Sequence, residues 1–280
     1  MKIIEGKNFP NERDLYGVDD VCLINCTFDG IEDGESALKE ASNVKLKSCY
    51  MNLRYPLWHD KTVLLEDVTM TDKCRASLWY TNDIEIKNSN LGGIKALREC
   101  NDINILNTKF VSPEFCWRSH NIKIKDSSIE SEYLFLMASD IEIENLTFKG
   151  KYSFQYVENM TIINSNLDTK DAFWHTKNVT VKNSIIKGEY LAWYSENLTL
   201  INCKIIGTQP LCYCKGLKLI DCEMENCDFS FEYSEVEASV KGNILSVKNP
   251  YKGYIFADSI EDIILTDDSK YECLCKISTK

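Results

Sequence analysis

Apolar residues recur at a fixed interval through most of this chain. If the first apolar residue of each segment of the Asn-Val-Thr-Val type is taken as an anchor, successive anchors stand nineteen residues apart, except for one step of twenty-one residues between Val63 and Ile84. The anchors are Val44, Val63, Ile84, Ile103, Ile122, Ile141, Met160, Val179, Leu198, Leu217 and Val236, with a weaker copy at Val21. A fixed period of this length indicates a repeat architecture.

Within each repeat, apolar and polar residues alternate, as in Ile84-Glu-Ile86 and Val179-Thr-Val181. This alternation indicates a β-strand, because successive side chains of a strand point to opposite faces. Further apolar positions fall seven residues after and six residues before each anchor. Each repeat therefore has three inward-facing segments, whereas a helical solenoid needs a longer unit with 3.6-residue periodicity. We predict an all-β fold, a single-domain right-handed parallel β-helix of about eleven or twelve coils with a 19-residue repeat.

Asparagine and aspartate mark two further positions of the repeat. One precedes the anchor directly, as at Asn43 and Asn178, and the other follows four residues after it, as at Asn107 and Asn202. These residue types tolerate the left-handed backbone that a sharp corner requires. Because stacked side-chain amides bond along a stack of strands, we expect the second file to form an asparagine ladder and both files to be structural.

The two ends of the chain depart from the repeat. Because an open stack of strands exposes unpaired edges, we expect a cap at each end. We predict one domain over residues 1–280, with an N-terminal cap at 1–20, coils at 21–239 and a C-terminal capping segment at 240–280. Gly242-Asn243 and Asn249-Pro250 are turn signals, which predict a terminal hairpin in the last segment.

Charge and cysteine content narrow the partners and the compartment. The net charge is −11 without a basic patch, which argues against nucleic acid and anionic membranes. The first residues lack the basic and apolar regions of a signal peptide, and no apolar run is long enough to span a bilayer. With thirteen cysteines, an odd number, we expect reduced thiols and a cytoplasmic location. The Cys-x-Cys pairs at 212–214 and 273–275 do not match ordinary zinc spacing, so we expect neither a metal site nor a cofactor.

All five tryptophans occupy one position of the repeat, five residues before an anchor. The residue before each of them belongs to an inward file, so the indoles should point outward; Lys39, Arg98 and Gln155 occupy the same position in other repeats and agree with exposure. The next position along the chain is also rich in aromatic and charged residues. We predict a ligand-binding surface composed of Trp58, His59, Trp79, Tyr80, Arg98, Trp117, Arg118, Gln155, Trp174, Trp193 and Tyr194.

The predicted ligand of this surface is an oligosaccharide or polysaccharide. Flat aromatic rings can stack on the apolar faces of sugar rings, while neighbouring polar groups bond the hydroxyls. A glycan could then lie along the file from Trp58 to Trp193 with its sugar rings on the indoles. Two alternatives stay open: the aromatic residues pack under covering segments, or they meet another protein or a second copy of the chain. The sequence leaves the oligomeric state undetermined.

The sequence gives a weaker indication of catalysis. Asp171 and His175 place a carboxylate and an imidazole next to the tryptophan file, and imidazole titrates near neutral pH. If the protein is an enzyme, a hydrolase or lyase acting on a polysaccharide is the class we expect. Whether it catalyses any reaction stays open at this point.

Several segments resemble one bacterial family. They are ASLWYTNDIEIKNS, SPEFCWRSHNIKIK, DTKDAFWHTKNVTVKNS and KGEYLAWYSENLTLINCKIIGTQPLCYC. The family is catalogued as domain of unknown function 3737, and the resemblance covers essentially the whole chain. It implies a right-handed, pectate-lyase-like β-helix without an established activity, and it assigns no catalytic residue. The polysaccharide lyases of the wider superfamily carry clustered aspartates for calcium, whereas the corresponding outward positions here are mixed, as in Glu85/Lys87 and Lys123/Lys125.

Overall fold

The computed structural model describes residues 1–31 and 35–280. Over these residues the chain forms β-strands and turns and contains no helix. The paired strands run parallel, and successive turns of the chain are stacked at a spacing of about 19 residues, which confirms the predicted parallel β-helix. The strands make about 14 turns, somewhat more than the eleven or twelve expected from the sequence.

Residues 1–141 form the first of two compact units. Its strands are β1 (Lys2–Glu5), β2 (Asp19–Ile24), β3 (Thr27–Phe28), β4 (Ser42–Lys47), β5 (Tyr50–Met51), β6 (Leu57–Trp58), β7 (Lys61–Glu66), β8 (Thr69–Met70), β9 (Leu78–Trp79), β10 (Asn82–Lys87), β11 (Asn90–Gly92), β12 (Asn101–Leu106), β13 (Lys109–Val111), β14 (Glu114–Phe115), β15 (His120–Ser131) and β16 (Tyr133–Leu134). In this unit Val44 pairs with Val63, and Val63 pairs with Ile84, so the anchors of the sequence repeat stack on one another.

Residues 142–280 form the second unit, and β17 (Ser139–Gly150) includes the point of division. The later strands are β18 (Glu158–Ile163), β19 (Asn166–Asp168), β20 (Lys177–Lys182), β21 (Ile185–Lys187), β22 (Glu196–Ile201), β23 (Lys204–Ile206), β24 (Leu217–Glu225), β25 (Glu235–Lys248), β26 (Lys252–Ile264) and β27 (Leu274–Thr279). Here too the anchors are in register, since Met160 pairs with Val179 and Val179 with Leu198.

The core of each unit consists of the three apolar files that the repeat predicts. Val44, Leu57 and Met51, one from each file, are completely buried in the first unit. In the second unit Phe154 and Ile205 are buried to the same degree. Burial of a side chain of this size stabilises a fold by roughly 1.5–3 kcal/mol. A stack of near-identical coils therefore accumulates its stability from one neighbour contact to the next.

The asparagine and aspartate positions form the expected corners and ladders. The residue before the anchor has a positive φ, 51° at Asn43 and 55° at Asn178, and so does the later position, 46° at Asn107 and 49° at Asn202. Along the second file, Asn107 Nδ2 donates to Asn88 Oδ1 at 2.9 Å. Hydrogen bonds between side-chain amides also join members of the first file; Asn197 Nδ2, for example, donates to Asn178 Oδ1 at 3.1 Å. The prediction of two structural files is confirmed.

A file of small inward-facing polar side chains accompanies each corner. Ser89 Oγ, for example, accepts a hydrogen bond from the Val68 N–H of the preceding coil at 3.0 Å, and Ser119 Oγ accepts one from the Cys100 N–H at 3.0 Å. Such bonds satisfy backbone donors that turn away from the sheets. Asp60 occupies the same position as Ser119 in an earlier coil, where its carboxyl group is 1% exposed.

The terminal hairpin predicted for residues 240–280 is wrong. β26 pairs in parallel with β25, and β27 pairs in parallel with β26, so this segment continues the stack of coils. Gly242, with a φ of 80°, lies inside β25 at a shift of register between Val240 and Asn243. The Gly-Asn pair therefore produces a bulge in a long strand rather than a chain reversal. The cap boundaries at residues 20 and 240 stay predictions.

Two features are absent from the part of the chain that the structure describes. None of the elements in residues 1–31 and 35–280 is a helix long and apolar enough to cross a membrane. The same residues contain no group of three or more His, Cys, Asp or Glu side chains that could hold a metal ion.

Candidate functional site

The five tryptophans lie on the outer surface of the coils, as the repeat predicts. Each follows a buried residue of the inward file, and each is half-buried. In β6 and β9 the pairing of Leu57 with Leu78 sets Trp58 against Trp79 in the next coil. In these two coils the outward direction of the indole is a consequence of the strand alternation that buries its neighbour, whereas Trp117, Trp174 and Trp193 lie in turns.

In the first unit, the indoles and two cations form a continuous column, which we call the cation–indole stack: Lys39, Trp58, Trp79, Arg98 and Trp117. The Trp58 and Trp79 rings are parallel within 9°, with centroids 5.5 Å apart. Lys39 Nζ lies 4.5 Å from the Trp58 ring. The Arg98 guanidinium carbon lies 5.5 Å from the Trp79 ring and 5.3 Å from the Trp117 ring. Both faces of Trp58 and Trp79, and one face of Trp117, thus meet a ring or a cation.

In the second unit, Trp174 and Trp193 form an indole pair. Their rings are parallel within 4°, with centroids 5.5 Å apart. Trp174 Nε1 donates to the Tyr190 carbonyl oxygen at 2.7 Å, and Trp193 Nε1 donates to the Gln209 carbonyl oxygen at 2.8 Å. These bonds to the following coil fix both rings, so the pair is rigid before any ligand arrives.

Next to the indole pair runs a second column, the tyrosine–histidine stack, composed of Tyr156, His175, Tyr194 and Tyr213. Successive ring centroids are 4.8, 5.0 and 4.7 Å apart, and successive planes are parallel within 6°, 6° and 12°. Tyr156 is 47% and Tyr194 is 44% exposed. The faces of these rings contact the neighbouring rings of the stack, and the tyrosine hydroxyl groups form polar tips at the ring edges.

All four residues of the tyrosine–histidine stack have a positive φ, between 55° and 62°. Left-handed backbone is uncommon for bulky side chains and costs of order 1 kcal/mol or more per residue. This conformation could not be predicted at these positions, because asparagine, aspartate and glycine are the residues typical of it. The equivalent residues Glu40, Glu99, Arg118 and Met137 have the same conformation although they carry no aromatic ring, with φ from 52° to 61°, so the conformation belongs to this corner of the coil.

The corresponding position of the first unit does not form a continuous aromatic column. His59 and Tyr80 meet edge to face, with centroids 5.0 Å apart and planes at 78°. His59 Nδ1 lies 3.7 Å from a Glu40 carboxylate oxygen. The next coils carry Glu99 and Arg118 instead of aromatic residues. The exposed aromatic stack that the sequence predicted along one file is thus most regular in the second unit.

One part of the predicted binding mode is contradicted by these geometries. Sugar rings were expected to stack on the indole faces, but in Trp58/Trp79 and Trp174/Trp193 the facing surfaces of the rings are in contact with each other. Sequence spacing places the indoles in one file without showing how their planes are turned. Because the planes lie face to face along the file, the rings present mainly their edges to solvent.

The candidate catalytic pair is not brought together. Asp171 is only 9% exposed, and within the described part of the chain no hydrogen bond or ion pair joins it to His175. Burial raises the pKa of Asp171, Lys170 lowers it, and Glu189 raises it again. Its carbonyl oxygen accepts a bond from Gln155 Nε2 at 3.0 Å. His175, in contrast, is exposed within the tyrosine–histidine stack. The geometry gives no support to proton transfer between the two.

The chain matches one protein-family model and is similar to several solved structures. The family model described as "Protein of unknown function (DUF3737)" matches residues 2–278. No curated protein matches the chain.

The solved structures are distant. The A-module of the mannuronan C-5 epimerase AlgE4 of Azotobacter vinelandii is 11% identical, with 86% of this chain and 89% of that chain covered and a TM-score of 0.35. The surface adhesin PfbA of Streptococcus pneumoniae is 11% identical, with 84% and 70% covered and a TM-score of 0.38. The periplasmic alginate epimerase AlgG is 10% identical, with 94% and 78% covered and a TM-score of 0.23. These similarities are too low to transfer a site or an activity.

Proposed function

Since this chain belongs to the DUF3737 family of proteins of unknown function, we propose a function from its surface: it binds an oligosaccharide through the tyrosine–histidine stack of the second unit. The observation that carries the proposal is the regular file of polar-tipped rings, one per coil, of which Tyr156, His175 and Tyr194 are exposed and Tyr213 is half-buried. Adjacent coils of a parallel stack are about 4.8 Å apart. A β-linked glycan lying along the file advances by about one sugar per coil, so each sugar would meet one tip.

The proposed contacts are hydrogen bonds to the ring tips, with the ring edges as apolar support. Tyrosine hydroxyls both donate and accept, and a neutral imidazole does the same through its two nitrogens. Burial raises the pKa of Tyr213 to about 12, with Glu232 as a second cause, and the Tyr213 hydroxyl donates to Glu232 Oε2 at 3.5 Å. The stacked rings lose little freedom on binding, because their neighbours already hold them. No catalytic step is part of this proposal.

A glycan array with matched variants tests it. The double variant Y156F/Y194F removes two hydroxyls and keeps four stacked rings, so it should lose glycan binding while its thermal unfolding stays unchanged. Y254F is the control, since Tyr254 is a similarly exposed tyrosine, at 48%, outside the stack. If the wild type retains no glycan, or if Y156F/Y194F binds as well as the wild type does, the proposal is wrong.

A second candidate function is protein recognition by the same stack. The observation in its favour is that the faces of the stacked rings contact each other, so that a ligand meets mainly tyrosine edges and hydroxyls. Tyrosine edges of this kind are common contacts in protein interfaces. The two candidates separate in sedimentation experiments. Self-association that disappears in Y156A/Y194A, together with a blank glycan array, would support recognition of a second copy.

A further inference from the structure

Arg98 takes the place of an indole in the cation–indole stack. It occupies the same position of its coil as Trp79 and Trp117 do in the coils before and after, and Trp79 and Arg98 form a parallel bridge. Its guanidinium carbon is 5.5 Å from one ring and 5.3 Å from the other. Two coil steps separate the indoles, about 9.6 Å at the usual strand spacing, which leaves room between them for one flat group.

Two carboxylates flank the space between the indoles. Arg98 Nε is 3.6 Å from a Glu99 oxygen, and Arg98 Nη1 is 3.9 Å from Glu114 Oε2. The three side chains are 21%, 27% and 22% exposed, so the space is open at its rim. Two indole faces and two carboxylates create the environment that a planar cation with several N–H donors fits best.

Arg98 is an imperfect occupant of this space. Its Nε and Glu114 Oε2 are both buried from solvent without a hydrogen bond, and so is Trp79 Nε1. Each such group keeps a desolvation cost that no hydrogen bond offsets. A guanidinium that is not tied to this backbone could turn to satisfy more of these groups.

Trp117 and the Arg98 backbone are held by hydrogen bonds that do not involve the Arg98 side chain. Trp117 Nε1 donates to the Tyr133 carbonyl oxygen at 2.8 Å. The Arg98 backbone donates to the Leu78 carbonyl oxygen at 3.1 Å and accepts from the Tyr80 N–H at 3.1 Å. Rotation of side-chain torsions alone can therefore empty the slot, without a change in the coils.

We propose that Trp79, Trp117, Glu99 and Glu114 form a guanidinium-binding slot, in which Arg98 is an exchangeable resident and the ligand is an arginine side chain of another molecule. A compact ammonium fits less well, because it lacks the two flat faces of a guanidinium, one for each indole. Lys39, the ammonium of the same stack, lies at its end, over Trp58 alone. This slot belongs to the first unit and does not depend on glycan binding by the second.

The test begins with R98A, which empties the slot. Methylguanidinium at low millimolar concentration should change the tryptophan fluorescence of R98A saturably and raise its melting temperature. Methylammonium should bind about tenfold more weakly or not at all. E99Q/E114Q in the R98A background should abolish the effect. No saturable binding of methylguanidinium to folded R98A would overturn the slot.

The wild type tests the exchange. N-acetyl-arginine-amide should produce a saturable change in its tryptophan fluorescence that E99Q/E114Q lacks and that the lysine analogue does not reproduce. If R98A does not fold, this titration still decides the proposal. Absence of saturable binding of the arginine analogue to the wild type would show that Arg98 is a permanent part of the stack, which contradicts the exchangeable site.

Discussion

Asp60 should make the protein less stable as the pH rises from acid to neutral. Its carboxyl group is 1% exposed, and only one of its oxygens is bonded: Oδ1 accepts from the Ala41 N–H at 2.8 Å, whereas Oδ2 is buried without a hydrogen bond among the described residues. Burial raises the pKa of Asp60 from 3.8 to about 8, and the Glu40 charge adds to the rise. The folded protein therefore holds a neutral carboxylic acid at neutral pH.

The sign and the size of the effect follow from linkage. Between pH 3.8 and about 8 the unfolded chain has released the proton while the folded chain keeps it, so stability falls with rising pH in this window. The slope is about 1.4 kcal/mol per pH unit. From pH 5 to pH 7, Asp60 thus removes about 3 kcal/mol of stability, an order-of-magnitude figure.

Substitution by serine isolates this contribution. Ser119 occupies the equivalent position and accepts the equivalent N–H bond at 3.0 Å, so D60S should preserve the coil and remove the titration. Urea unfolding of D60S and wild type at pH 5, 6, 7 and 8 gives the difference in free energy, provided that the m-values agree. We expect D60S to gain about 3 kcal/mol relative to the wild type between pH 5 and pH 7, and little more above pH 8.

Glu66 provides a matched control, because its effect on stability changes with pH in the opposite direction to that of Asp60. Glu66 is half-buried, and its pKa is lowered by the hydrogen bond and charge of Lys47. The contribution of Glu66 to the free energy of unfolding is present above the ordinary glutamate pKa and is lost as the pH falls. The stability of E66Q relative to the wild type should therefore not rise between pH 5 and pH 7. If the difference between D60S and the wild type is the same at pH 5 and pH 7, the Asp60 carboxyl titrates as it does in water and the reasoning is refuted.

Three further predictions concern the coils and the thiols. Deletion of residues 198–216, one repeat, should leave a folded protein with strand-type circular dichroism, because Asn197 then leads into the next equivalent strand. Deletion of ten residues from the same coil should prevent folding. If the two deletions have the same effect, the nineteen-residue register is wrong. N202A should lower the free energy of unfolding by about 1–2 kcal/mol, since it removes the bond to Asn183 and places alanine at a φ of 49°, and N202G should recover part of the loss in urea unfolding. In the native protein only the half-buried Cys273 and Cys275 should react readily with a thiol reagent. After unfolding without reductant, all thirteen cysteines should titrate as free thiols. A disulfide would contradict the cytoplasmic location that we propose.

The sequence alone determined the architecture of the coils. An interval of nineteen residues with alternating polarity fixes which side chains stack in adjacent coils, and the asparagines at φ near 50° announce the corners. The outward position of Trp174 followed from the same logic, because its neighbour Phe173 had to be inward. These features depend on order along the chain and on local backbone preference, and both are readable without coordinates.

Only the tertiary structure decided what the surface offers to a ligand. A repeat places Trp174 and Trp193 in one file, but the side-chain torsions, set by bonds to the following coil, turn their planes face to face and leave the edges exposed. Likewise, the sequence showed Arg98 as one polar residue in an aromatic file, whereas the structure shows it sandwiched between two indoles. The separation of Asp171 from His175 and the neutral carboxyl group of Asp60 also arise from packing between coils, because burial and ring orientation depend on neighbours that are distant along the chain.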